Sequence, residues 1–179
     1  MRLTIGGPPG SGTTSIAKLL ADAHGLVHIY AGLIFRDMAR EKDLSLAEFG
    51  KLAEKDDSFD RSVDERMAEM ALSGPDTIAE GRMAAFVVEA PDIKIWLDAP
   101  LDVRVSRIAG REGLAEDKVR AMTMDRQESE TQRYQRYYGI DIYDLSCYDI
   151  VINTEKWHID GVYKILDSAI THLVRATQD

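Results

Sequence analysis

The chain has 179 residues, 45% apolar and 30% charged, enough for one α/β domain with a sizeable core and too few for two independent ones. Its 22 Lys and Arg against 31 Asp and Glu leave a net charge of −9. That balance argues against nucleic acid or an anionic membrane as the main partner, but it allows a small anion where a few arginines converge. A lone Cys147 permits neither an internal disulfide nor a cysteine metal cluster. With no signal-like start and no apolar run of membrane-spanning length, the expected location is cytoplasmic.

A short run rich in β-branched residues at 2–5 predicts a strand, which breaks at Gly6-Gly7-Pro8-Pro9-Gly10-Ser11-Gly12. Residues 13–24 then show helical spacing, with Ile16, Leu19, Leu20 and Ala23 on one stripe and Gly25 as the stop. Residues 27–30 read as a second strand. The stretch 31–72 is helical and acidic and is expected to form three helices, the middle one opened by a Ser45/Glu48 capping box. Ser73-Gly74-Pro75-Asp76 is a turn. Further strands are expected at 77–79, 92–98 (DIKIWLD) and 148–153 (YDIVIN), and helices at 101–111, 115–137 and 159–175.

Strands alternating with helices, and no hairpin turns, predict one α/β domain over 1–179 with a central five-stranded parallel sheet covered on both faces. Two helical insertions, 31–73 and 112–147, are longer than simple crossovers need and are assigned binding work.

Gly7-Pro8-Pro9-Gly10-Ser11-Gly12-Thr13-Thr14 follows a strand and opens a helix, the context a GxxxxGK[ST] phosphate loop requires. Glycines let successive N–H groups turn inward, and the helix N-terminus adds partial positive charge, so a triphosphate fits the cradle. Thr14 holds the hydroxyl position that would ligate Mg²⁺. The lysine position holds Thr13 instead, so either other cations replace the lysine or the loop binds nucleotide without catalysis. Lys18 is turned roughly 140° off along the helix and cannot substitute.

The missing charge has candidates. Arg36 lies just past the second strand and Arg82, in Glu80-Gly81-Arg82, just past the third. The carboxyl ends of parallel strands share one edge, so both are expected beside the phosphate loop. Arg104, Arg107 and Arg111 share a helix face, as do Arg126 and Arg133 with Glu130 between them; salt-bridged exposed helices are the alternative. Phosphoryl transfer needs charge neutralisation and in-line positioning more than covalent help. No Ser/His/Asp set or Cys/His pair competes. His24, His28, His158 and His172 are scattered and read as surface or packing residues, and Trp96, Tyr134, Tyr137 and Tyr138 as core and helix packing.

With these residues in place, the chain resembles the nucleoside monophosphate kinase family from residue 1 to about 168, and within it the archaeal type of cytidylate kinase. GPPGSGTT, with Thr13 at the lysine position, looks like the loop of that group. YAGLIFR (30–36) is similar to the segment whose final arginine holds the acceptor phosphate, and EGR (80–82) to one making a second contact there. SRIAGR (106–111) resembles the start of a mobile lid whose arginines, here Arg107 and Arg111, meet ATP. Residues 126–133 keep the family's Arg–x3–acid–x2–Arg spacing, which implies that Glu130 contacts the acceptor ribose and that Arg126 and Arg133 contact phosphates. YDIVINT (148–154) is similar to the strand ending beside the adenine pocket.

The resemblance implies a three-layer P-loop kinase using ATP and Mg²⁺ on CMP and dCMP, with 31–73 as the acceptor-binding insertion and 112–147 as the lid. Residues Gly7, Pro8, Pro9, Gly10, Ser11, Gly12, Thr13, Thr14 and Ser15 would cradle the donor phosphates, with Thr14 on the metal and Glu80 reaching it through water. Arg111, Arg126 and Arg133 would close over the transferring group, while Arg36, Arg82 and Glu130 hold the acceptor. No nucleic acid or membrane is expected as partner, and the chain is read as a monomer. Bacterial cytidylate kinases place a cytosine-reading aspartate where this chain has Met83, which moves the expected base contact to the helices of 44–72. Another acceptor (AMP, UMP or a non-nucleotide), or an inactive nucleotide-binding module, are the alternatives at this point.

Overall fold

The computed structural model describes residues 1–74 and 76–176. The expected turn at 73–76 includes Pro75, which lies outside the described residues. In chain order the elements are β1 (Arg2–Gly6), α1 (Thr13–His24), β2 (Val27–Tyr30), α2 (Ala31–Glu41), α3 (Leu46–Ala53), α4 (Ser58–Ser73) and β3 (Thr77–Glu80). Then follow α5 (Ala84–Val87), β4 (Ile93–Asp98), α6 (Leu101–Glu112), α7 (Glu116–Tyr138), a 3-10 turn at Leu145–Cys147, β5 (Ile150–Asn153) and α8 (Ile159–Ala176).

The five strands form one parallel sheet in the order β2-β3-β1-β4-β5. Register aligns the carboxyl ends: Glu80 sits opposite both Tyr30 and Ile5, and Ile5 opposite Ile95. The period-2 alternation of a strand sorts the two faces. Leu3, Ile5, Ile78, Ile95 and Leu97 point to one side, where Ile16 and Leu20 of α1 and Leu166 and Ile170 of α8 cover them. Ile29 and Ala79 point to the other, under Phe49 and Met67 of the α2–α4 segment, while Trp96 packs with Ala85 and Tyr148. Both faces are therefore dry, as a parallel sheet requires. Phe49 anchors the α2–α4 segment, sitting edge-on between Phe35 and Phe59 at 4.7 and 5.1 Å.

The Ser45/Glu48 capping box forms as expected at the start of α3. Strand β5 begins two residues later than expected, because the Tyr148 N–H is spent on the Leu145 carbonyl at the end of the 3-10 turn, while its ring packs 5.2 Å from Trp96. The short helix α5 and the 3-10 turn carry too few residues to show a period and are additions to the sequence reading.

The long helix α7 does not stand apart from the α2–α4 segment. Arg133 pairs with Asp60, Tyr138 donates to Asp64 at 2.7 Å and Tyr137 to the Ala53 carbonyl at 2.9 Å. Ser129 donates to Glu54, and Arg61 reaches the Tyr137 carbonyl. The second half of α7 and the helices of 46–73 thus form one packed unit.

Candidate active site

The loop between β1 and α1 is built for close approach. Gly10 adopts φ 85°, and a Cβ there would meet the Arg104 carbonyl oxygen at 2.8 Å, so only glycine fits. Gly12 caps α1 in the left-handed conformation without a side-chain cap, leaving the first N–H groups of the helix to an incoming anion. Pro8 turns the loop by accepting from the Ser11 N–H at 3.1 Å. Pro9 accepts from Arg104, whose guanidinium is buried under the loop and also donates to Ala99 and Gln127. Burial lowers the pKa of Arg104 from its ordinary value. Arg104 is therefore scaffold, although it shares a helix face with Arg107 and Arg111.

A cleft of about 450 Å³ opens over the loop, lined by residues Gly10–Ile16 together with Arg107, Arg111, Thr154, Trp157 and neighbouring α8 residues. Arg107 donates to the Gly10 carbonyl and to both the hydroxyl and the carbonyl of Thr154, which pins α6 to the loop and to the end of β5. Thr154 in turn donates to Ser11 or Asp98. Arg111 is largely exposed beside Glu112 on the same cleft.

At the end of β3 one carboxylate gathers a cluster of donors from α1 and β2. Glu80, 3% exposed, accepts on Oε1 from the hydroxyls of Thr13 (3.0 Å) and Thr14 (2.6 Å) and on Oε2 from His28 Nε2 at 2.9 Å. Thr13 thus faces Glu80 in the position where a lysine would face phosphate. His28 is neither a surface nor a packing residue, as the sequence reading had it, but part of this cluster. Among the described residues no group of three His, Cys, Asp or Glu side chains is arranged to hold a metal. What Thr14 and Glu80 offer is a hydroxyl oxygen and a carboxylate able to hold a metal-bound water, a donor set that fits a hard cation such as Mg²⁺.

Just past the end of β3, Arg82 is buried, with Nε 2.8 Å from Glu130 Oε2 in an ion pair that lacks hydrogen-bond geometry. Both of its Nη atoms are buried without a partner. Arg126 holds the other Glu130 oxygen at 2.6 Å. Burial pushes the Glu130 carboxyl up, but Arg82, Arg126 and Arg133 outweigh it and bring the group below its ordinary value. One turn on, Arg133 is paired with Asp60, leaving its Nε unpartnered. Arg36 lies with its guanidinium 4.9 Å from the centre of the Tyr30 ring.

The sequence reading therefore finds Arg82, Glu130 and Arg126 together, and Thr13, Thr14 and Glu80 together. It missed His28, Asp60 and Asp64. The aspartates had a signal: they interrupt the otherwise apolar buried stripe of Val63, Met67 and Ala71 on α4. Burial raises the pKa of Asp60 to about 6, against the pull of Arg133. It raises that of Asp64 to about 7.

A parallel sheet of this order, with a glycine loop feeding α1, defines a P-loop kinase fold. Residues 2–156 match the cytidylate kinase-like family, and the chain belongs to that family. Cytidylate kinase from Methanoculleus marisnigri is 50% identical over 175 residues, covering 98% of this chain and 97% of the relative. That from Pyrococcus horikoshii is 48% identical over 171 residues, 96% and 88% of the two chains. Among solved structures, an uncharacterised Eubacterium ventriosum protein superposes with a TM-score of 0.69 at 20% identity, over 94% of this chain and 97% of its own. Shikimate kinase from Bacteroides thetaiotaomicron does so with a TM-score of 0.59 at 15% identity, over 96% and 98%. These two likenesses concern the fold.

Proposed function

We propose that this chain is a cytidylate kinase, transferring the γ-phosphoryl group of ATP to CMP and dCMP to give ADP and the diphosphate. The observation that carries the reading is Arg82, a buried guanidinium with both Nη atoms unpartnered, one strand from the phosphate loop. Arg82 and Arg126 share the single Glu130 carboxylate, so two buried Nη donors and an unbalanced positive charge call for a further anion, and an acceptor phosphate supplies one within reach of the donor's. Arg36 joins Arg82 on that phosphate, and Glu130, ionised between Arg82 and Arg126, accepts from the acceptor's ribose hydroxyls.

Residues 7–15 cradle the donor phosphates, and Arg107 and Arg111 flank the nucleotide. Thr14 and, through water, Glu80 hold Mg²⁺, which neutralises charge on the phosphates when bound. Residues 31–73 serve as the acceptor-binding insertion and 112–147 as the lid, the second half of α7 moving with the insertion it packs on, so that Arg111, Arg126 and Arg133 come over the transferring phosphoryl as the site closes. These arginines take over the charge that Thr13 does not carry. The enzyme works as a cytoplasmic monomer. ADP release from ATP that depends on added CMP tests the reading, and ATP turnover indifferent to CMP refutes it.

A further inference from the structure

The Glu80 cluster carries more than a metal-side carboxylate needs. Its two hydroxyl donors and one imidazole donor approach from two elements, the first turn of α1 and β2. A carboxylate oxygen only accepts, so His28 Nε2 carries the proton in this contact. Two donors on Oε1 and one on Oε2 fix both the plane and the rotamer of Glu80. With the Thr14 proton committed to Glu80, the lone pairs of the Thr14 oxygen are left facing away from the carboxylate.

The imidazole has a second attachment. It stacks on Tyr30, with centroids 6.0 Å apart and planes 15° from parallel, and Tyr30 bears the Arg36 guanidinium on its ring. Gly32 makes room for that ring, since a Cβ there would lie 2.7 Å from it. One continuous set of contacts therefore runs Glu80–His28–Tyr30–Arg36.

We propose that His28 and Thr13 are positioning residues for Glu80, and that His28, through Tyr30, also positions Arg36. Thr13 then fixes the metal-side carboxylate where a lysine would contact phosphate. His28 contributes to both halves of the site through different parts of its ring: the N–H for Glu80, the face for Tyr30. The inference rests on the reading of Glu80 and Arg36 given above.

Because the two roles use different features, two substitutions separate them. His28→Phe keeps a face to stack and loses the donor; His28→Gln keeps an N–H and loses the ring. ATP binding is measured by calorimetry across a Mg²⁺ series, and kcat and KM for CMP at saturating Mg²⁺ and ATP. His28→Phe should raise the Mg²⁺ concentration for half-maximal ATP binding about tenfold, with KM for CMP within about twofold of wild type. His28→Gln should show the reverse, a near-normal Mg²⁺ requirement and a KM for CMP raised severalfold. Thr13→Val should follow His28→Phe, and Thr13→Ser should restore wild-type behaviour. If His28→Phe does not fold, the Thr13 pair carries the test.

A wild-type Mg²⁺ requirement in His28→Phe or Thr13→Val overturns the proposal when Glu80→Gln does shift that requirement. If Glu80→Gln leaves it unchanged as well, the reading of Glu80 falls and the proposal falls with it.

Discussion

Arg133 Nη1 donates to both carboxylate oxygens of Asp60, at 2.7 and 2.8 Å, with the two side chains 8% and 5% exposed. The pair ties α7 to α4 and occupies an arginine that the proposed mechanism needs at the transferring phosphate. Its energetics follow from burial. Removing one partner strands the other charge out of water, at a cost of about 3–5 kcal/mol.

Arg133→Met should therefore destabilise the protein by about that amount near pH 8, read by urea unfolding. The loss should shrink toward pH 5. The Asp60 carboxyl, already raised to about 6, rises further without its arginine and takes up a proton instead of remaining an unpaired charge. Adding Asp60→Asn to Arg133→Met should recover part of the stability at pH 8.

Among the described residues Asp64 accepts a hydrogen bond from the Tyr138 hydroxyl alone, and burial raises its pKa to about 7. A folded-state pKa above the unfolded value contributes stability that is full at low pH and lost as pH rises through the folded value. Stability should fall between about pH 4 and pH 7 on this account. Asp64→Asn should flatten that slope and leave the protein more stable than wild type at pH 8, measured as urea midpoints across the range.

Arg36 is exposed and tests the acceptor clamp with least damage to the fold. A charge-assisted bond to phosphate contributes about 1.5–3 kcal/mol, so Arg36→Ala should lower kcat/KM for CMP by about ten- to a hundredfold. ATP affinity should hardly change. Arg82→Ala should do the same but also lose stability, since it removes one of the two arginines paired with the buried Glu130 and leaves only Arg126. Equal weakening of ATP binding by either change would assign the arginine to the donor side.

Arg126 has a side chain 61% exposed and anchored at one end to Glu130. A contact made chiefly in the closed transition state reduces kcat more than it raises KM. Arg126→Ala should therefore cut kcat with little change in KM for ATP, checked by steady-state kinetics with both substrates varied. A rise in KM alone would make Arg126 a ground-state binding residue.

How far the sequence spoke depended on how local the signal was. The strand–loop–helix unit, the capping box and the arginines after β2 and β3 are written in short segments, and they were legible. The Thr13–Glu80 contact spans 67 positions, and Thr13 at a lysine position reads as a deficit until the carboxylate it serves is brought across the sheet. His28 gave no periodic or motif signal, since it is a single polar residue in a four-residue strand. The union of α7 with α4 was likewise out of reach, because α7 is polar along most of its length and buries Thr123, Glu130 and Arg133 instead of an apolar stripe; only Asp60 and Asp64 on a buried stripe hinted at a polar seam.

The central claim is that the site passes the γ-phosphoryl group of ATP to cytidine monophosphates. Initial rates with ATP and Mg²⁺ against CMP, dCMP, UMP, AMP and GMP test it most directly. The account predicts the highest kcat/KM for CMP. A preference for AMP of tenfold or more, about 1.4 kcal/mol of transition-state binding, would contradict it.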